Sequence, residues 1–238
     1  MTLLSVIQDH CRIHALNIPT SITGSTDTTV QQLYGIANEV LDDLVDQSKF
    51  QAITREATFT SIAAEDQGAI SAIAGVEGYL WAYPQTFYDR TLRRPLYGPL
   101  TEQEWQAIKA IPNPGPFYKF RIWNDHIFLN PAPSTPFSTI AFEYASSYAV
   151  NSSGGVAKAA FDNDADVCKF PEKILRKGIM YRWKQIKGLP YQADEIAYWS
   201  LVNNMIARDK VKRPYDMACG HQQDLQPGIF VPRGNYPV

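Results

Sequence analysis

The chain is poor in the features that most often announce chemistry. Its three cysteines, Cys11, Cys168 and Cys219, are scattered and odd in number. No CxxC pair occurs, so neither a disulfide framework nor a zinc ribbon is expected, and buried thiols in a reducing compartment fit better. The start, Met1-Thr2-Leu3-Leu4, lacks a basic region, and Asp9 and His10 interrupt the apolar run. No signal peptide and no membrane span are expected, which points to a protein made and used in a cytoplasm. There is no excess of one charge: 22 basic and 24 acidic residues leave a net charge of −2, which argues against general affinity for nucleic acid. GxSxG, P-loop and GxGxxG motifs are absent, as are internal repeats and low-complexity tracts.

What is present is an ordinary globular composition, 45% hydrophobic and 19% charged. A length of 238 residues allows one large domain, or a domain with a sizeable insertion, whose core needs no disulfide or metal.

Helical periodicity is strongest near the two ends. Residues 2–16 read as a short helix with Thr2 as cap and Leu4, Ile7 and Cys11 on one face. After a polar loop, Asp27 or Thr28 caps a second helix running to about Gln47, with Val30, Leu33, Ile36 or Ala37, Val40, Leu41 and Leu44 as its apolar stripe. A helical hairpin follows late in the chain. Its first arm starts at Pro171, sets Leu175, Ile179, Trp183 and Ile186 on one face, and stops at Gly188-Leu189-Pro190. The second arm, from about Ala193, sets Ile196, Trp199, Val202 or Asn203, and Ile206 on one stripe, with Asp194 and Glu195 in its first turn.

Charge is segregated between these helices. The 28–47 helix carries Glu39, Asp42, Asp43 and Asp46, whereas the hairpin carries Lys169, Lys173, Arg176, Lys177, Arg182, Lys184 and Lys187. The helices are expected to pack as a four-helix bundle, or to meet across a subunit boundary. Arg182 lies toward the apolar side and is expected to form a buried or interfacial ion pair, with Asp194, Glu195 or a carboxylate of the second helix.

Between the helices the pattern turns to strands. Glu56–Ala63 and Thr139–Val150 have strand composition. Tyr118–Ile122 and His126–Leu129 flank the turn Asn124-Asp125 and form the clearest β-hairpin. Thr101 and Glu104 have the spacing of a capping box over a short helix, 100–110. The fold expected is therefore α+β, mainly α: an antiparallel helix bundle from 1–50 and 165–210, an antiparallel β-rich insertion over 51–164, and an extended C-terminal arm over 211–238. The arm is rich in Pro and Gly yet holds Tyr215, Ile229, Phe230, Val231 and Tyr236, so it is expected to grip another chain.

Candidate chemistry is sparse. Asp162-Asn163-Asp164-Ala165-Asp166 opens like a calcium loop, but Val167 stands where Gly is needed and Lys173 where the bidentate Glu belongs, so an acidic turn before a helix is expected. His10 and His14 have i,i+4 spacing without the HExxH form, which favours a surface or interface role. His126 and His221 show no triad partner. Glu143 is an isolated carboxylate expected to pair with a cross-strand Lys or Arg, since glycoside hydrolysis needs two. No catalytic, cofactor-binding or metal-ligating residue is assigned.

The order of several motifs is familiar. The loop Pro19…Gly24-Ser25-Thr26-Asp27 precedes a Gln31-Gln32-Leu33 helix. Then come the Tyr118–Pro131 hairpin (YKFRIWNDHIFLNP), Phe142-Glu143-Tyr144, Phe161-Asp162-Asn163-Asp164, Gly178–Lys184 (GIMYRWK) and Lys187–Tyr191 (KGLPY). Over residues 2–205 the chain resembles the head-to-tail adaptor (connector) proteins of tailed bacteriophages. The resemblance implies a helical bundle with an inserted β-region and a structural virion protein without enzymatic activity or cofactor. It implies a ring, commonly of twelve copies, beneath the portal protein, which extends the DNA channel and docks a tail tube or nozzle protein. Double-stranded DNA would pass through the lumen without sequence-specific binding. The place implied is the head–tail junction of a virion, after synthesis in a bacterial host cytoplasm. In related adaptors the C-terminal arm inserts into the portal or a neighbouring subunit; Tyr215, Ile229, Phe230, Val231 and Tyr236 would be its contacts. The alternatives are a DNA-binding regulator built on the 171–210 hairpin, whose second helix begins with repelling acids, and a phage cell-wall hydrolase using Glu143.

Overall fold

The computed structural model describes residues 2–47, 50–110, 115, 117–134 and 137–209. These hold five α-helices: α1 (Leu3–Ile13), α2 (Thr28–Asp46), α3 (Glu102–Lys109), α4 (Glu172–Ile186) and α5 (Gln192–Asp209). They also hold eleven strands: β1 (Thr54–Thr60), β2 (Asp66–Ala69), β3 (Tyr79–Ala82), β4 (Tyr88–Asp89), β5 (Arg94–Pro95), β6 (Lys119–Trp123), β7 (His126–Asn130), β8 (Thr139–Ser146), β9 (Val150–Asn151), β10 (Ala157–Lys158) and β11 (Val167–Cys168).

This corrects the expected fold class. The described chain is not a mainly α helix bundle, because eleven strands in three sheets make it β-rich. Most of the additional strands are two to four residues long, as in β2, β4, β5, β9, β10 and β11. Such pieces are too short to show an alternating pattern, and their pairing is set by distant partners.

The chain divides into two compact units. The first comprises the residues up to Thr54 together with those from Ser146 through α5. Here α4 packs against α1, α2 and α5. A small sheet, β10-β9-β11, belongs with these helices, so residues 146–164 pack with them rather than with the β-rich segment. Thr2 caps α1 by accepting from the Ser5 N–H, and Asp27 caps α2 by accepting from the Thr29 N–H. The apolar stripe of α2, from Val30 through Leu33, Val40 and Leu41 to Leu44, is fully buried.

The stripe on α5 is displaced from its expected place. Tyr198 and Val202 are buried, whereas Ile196 is 71% exposed. The Tyr198 ring packs at 4.9 Å from Tyr181 on α4, and this larger apolar surface sets the helix rotation. Ile186, at the end of α4, is likewise exposed.

The second unit, Arg55–Ala145, is built on two sheets, β1-β8-β4-β5 with β3 also on β8, and β2-β7-β6. Asn124 and Asp125 take φ of 50° and 65°, the left-handed conformation that a tight two-residue hairpin turn requires, between β6 and β7. Phe87 stacks between Phe120, at 4.3 Å, and Phe142, at 4.9 Å. Strand β8 is buried at six of its eight positions, so both of its faces meet apolar neighbours. The capping box on α3 is complete: Thr101 accepts from the Glu104 N–H, and the Glu104 carboxylate accepts from the Thr101 N–H at 2.9 Å.

Candidate interaction surface

Helix α4 is the hub of the first unit, and its side chains sort by direction. Toward α2, Gly178 brings the two backbones close: a Cβ there would lie 2.5 Å from Val40 Cγ1 and 3.1 Å from Tyr198. One turn on, Arg182 donates to the Asp43 carboxylate at 2.5 Å and stands 3.5 Å from Glu39. Burial works against the Arg182 charge, but the Asp43 hydrogen bond and the nearby Glu39 outweigh it, and the guanidinium is held more firmly protonated than usual. Its partners are thus carboxylates of α2. Asp194 is taken instead by Lys184 at 2.5 Å, which ties the start of α5 to the end of α4.

Toward α1, Arg176 bridges Asp9 at 2.9 Å and Glu172 at 2.5 Å. Trp183 of α4 also meets two histidine rings, and the three are in mutual contact. The His10 centroid is 4.5 Å from that of His14 and 5.3 Å from that of Trp183, and His14 is 4.6 Å from Trp183. His10 is 2% exposed, so of the surface or interface role expected for it the surface half is corrected. The Nε2 atoms of both histidines and the Trp183 Nε1 are buried without a hydrogen-bond partner among the described residues. Burial, then His14 and the Lys184 ammonium, push the His10 pKa down to about 4. Burial and the Lys184 ammonium lower His14 as well, with Asp194 opposing. The cluster is therefore a neutral, apolar use of histidine. Among the described residues no group of three or more His, Cys, Asp or Glu is arranged to hold a metal ion.

The 162–166 turn takes a cation of a different kind. Asp166, fully buried, accepts from the N–H groups of Asp162 and Asn163 and from the Lys158 ammonium at 3.1 Å. Lys158 also bonds Asp162. Asp164 accepts from the N–H groups of Ile22 and Thr23, both at 3.0 Å, and so pins the loop before α2. Burial opposes the Asp166 charge, yet these donors hold its carboxyl below the usual carboxylate range. The turn is thus organised by an internal lysine, a feature sequence spacing did not signal because Lys158 lies outside the loop.

In the second unit, His126 Nδ1 lies 3.0 Å from both oxygens of Asp66, a partner missed because β2 has no strand signature. Trp123 at the hairpin tip is 62% exposed, with the Arg121 guanidinium 5.8 Å from its ring. Glu143 is exposed and forms no ion pair among the described residues, which corrects its expected cross-strand pairing. Its backbone N–H donates to Thr86 Oγ1 at 2.8 Å. Cys11 is buried and Cys168 half-buried, and burial pushes the Cys168 thiol up to about 11. Tyr215, Ile229, Phe230, Val231 and Tyr236, together with Cys219 and His221, lie outside the described residues.

Several large aliphatic side chains of the first unit are open to solvent: Ile13, Ile18 and Val156, and three near the α4–α5 turn. Ile186 is 49%, Leu189 42% and Ile196 71% exposed. Exposed aliphatic side chains of this kind are available for contact with another chain. No helix among the described residues is long and apolar enough to cross a membrane. No protein-family model matches the chain, and no curated protein matches it.

Proposed function

We propose that the chain is a structural, non-enzymatic head-to-tail adaptor of a tailed bacteriophage, which forms a ring under the portal, extends the DNA channel and docks the tail. The observation that carries the reading is the order and spacing of the motifs along residues 2–205, from the Pro19…Asp27 loop to Lys187-Gly188-Leu189-Pro190-Tyr191. The reading does not depend on the proportion of helix. The exposed aliphatic side chains of the first unit, Ile186, Leu189 and Ile196 among them, support it, since a ring subunit needs apolar surface that another chain covers. The apolar residues within the Pro-rich 211–238 segment, Tyr215, Ile229, Phe230, Val231 and Tyr236, support it too, since they offer apolar contacts to a portal or a neighbouring subunit.

The alternative, a DNA-binding regulator using the 171–210 hairpin, draws less support. The exposed positions of α5 are Gln192, Ala193, Ile196, Ala197, Ser200, Asn203, Asn204, Ala207 and Arg208, a face with one cation.

The test is mass by light scattering of the full chain, alone and with portal rings, and of the chain cut after Lys212. The adaptor reading expects the full chain to join portal as a ring and the cut chain to fail. A full chain that ignores portal sinks it, and retention of duplex DNA with a steep salt dependence would favour the regulator.

A further inference from the structure

Two faces of the helical unit carry charge that the unit itself leaves uncompensated. On α2, Glu39, Asp42 and Asp46 recur at i, i+3 and i+7 on the exposed side. Asp42 and Asp46 have no ion pair among the described residues, and Glu39 reaches only the 3.5 Å contact with Arg182. These acids sit in the C-terminal half of α2, whose last turn holds no basic residue. A helix C-terminus favours cations, so the placement is locally unfavourable. Burial first, and then the neighbouring Asp46 and Asp43 carboxylates, raise the Asp42 carboxyl above its ordinary range.

On α4, Lys173 is exposed and Lys177 half-exposed, and Lys187, which caps its C-terminal end, is exposed; none has an ion pair among the described residues. Lys173 precedes Arg182 by nine residues, which is about half a turn around the helix at ~100° per residue. The lysine face therefore points away from α2, and the two charged faces cannot neutralise each other within one copy.

We infer that the acidic face of α2 on one copy docks against the lysine face of α4 on a second copy. A polyanion would satisfy the lysines and leave the acids exposed to repulsion, whereas a second copy satisfies both at once. The contact is heterologous: an isologous one through either face would set like charges together. Each copy keeps one free face of each sign, so contacts propagate until a ring closes. The inference names surfaces for the ring proposed above but rests on the charge pattern itself.

The experiment is sedimentation velocity of the full chain at low and high salt. The variants are Asp42→Lys with Asp46→Lys, Lys173→Glu with Lys177→Glu, and all four together. The wild-type chain is expected to self-associate at low salt and to dissociate as salt rises. Each reversed pair alone is expected to associate about tenfold or more weakly. The quadruple variant, and an equimolar mixture of the two reversed pairs, are expected to regain association because opposite charges again face each other. A separate pair, Asp42→Asn with Asp46→Asn, is expected to raise the melting temperature while weakening association, which a folding defect cannot imitate. A wild-type chain that stays monomeric at low salt overturns the inference, as do reversed pairs that associate like wild type. Self-association through these faces without portal binding would keep this inference and remove the adaptor reading. Portal binding by reversed pairs as strong as wild type would do the opposite.

Discussion

Gly178 on α4 lies against Val40 on α2 so closely that no side chain fits between the helices; an added Cβ would stand 2.5 Å from Val40 Cγ1. Alanine is worth about 1 kcal/mol more than glycine in a helix interior. Here the overlap wins, because Val40 is itself fully buried and has nowhere to move. Gly178→Ala is expected to destabilise the first unit by about 1–3 kcal/mol. Urea unfolding followed by tryptophan fluorescence checks this; an unchanged or higher midpoint would mean that the helices can separate without cost.

The Arg182–Asp43 pair spans the same helix–helix contact, with 25% and 33% of the two side chains exposed. A pair this accessible is partly screened, so its coupling is expected to be about 1 kcal/mol rather than the larger value of a fully buried pair. A double-mutant cycle with Arg182→Met and Asp43→Asn measures it. Arg182→Met alone leaves Asp43 facing Glu39 and Tyr198, and is expected to cost more than the double variant. Additive effects would show that the pair contributes nothing beyond packing.

The His10–His14–Trp183 cluster makes stability pH-dependent. Burial lowers the His10 pKa from 6.5 to about 4, so the unfolded chain binds its proton at a higher pH than the folded one. Stability is then full above pH 6.5 and falls as the pH drops from there toward 4, a loss of about 3 kcal/mol for this site by linkage. His10→Phe keeps an aromatic ring and is expected to flatten the profile in that window. A wild-type profile equally flat between pH 7 and 4 would refute the account.

Lys158 supplies the positive charge around which the aspartate turn folds. Lys158→Met leaves Asp166, fully buried, without its ammonium, and is expected to cost about 3 kcal/mol at pH 7. Asp166 is held below its ordinary pKa by these donors, so their stabilisation is present above about pH 4 and is lost as pH falls through the folded value. The deficit of the variant against wild type is therefore expected to shrink on acidification. Thermal melts of both chains at pH 7 and at about pH 2, below the range in which Asp166 is held ionised, test this, and an equal gap at both would exclude a charge-based role.

The sequence by itself determined the local elements whose signals lie within one or two turns. The caps at Thr2 and Asp27, the Thr101–Glu104 box, the Asn124-Asp125 hairpin and the apolar stripe of α2 depend on neighbours three or four residues away, and they are where periodicity and turn chemistry put them. The segregation of acid onto α2 and of lysine onto α4 was equally legible, because it needs only a helical wheel.

Only the tertiary structure decided how these pieces are used. It turned α5 so that Tyr198 rather than Ile196 is buried, since the rotation is set by the surface of α4 and not by the helix's own pattern. It gave Arg182 to Asp43, and Asp194 to Lys184, from several carboxylates that spacing could not rank. It assembled two-residue strands into sheets and moved the class away from a mainly α bundle, because such strands exist only through distant partners. It placed Lys158 at the aspartate turn and Asp66 beside His126 for the same reason. Pairing across long sequence separations is fixed by the packed core, and a linear pattern carries no record of it.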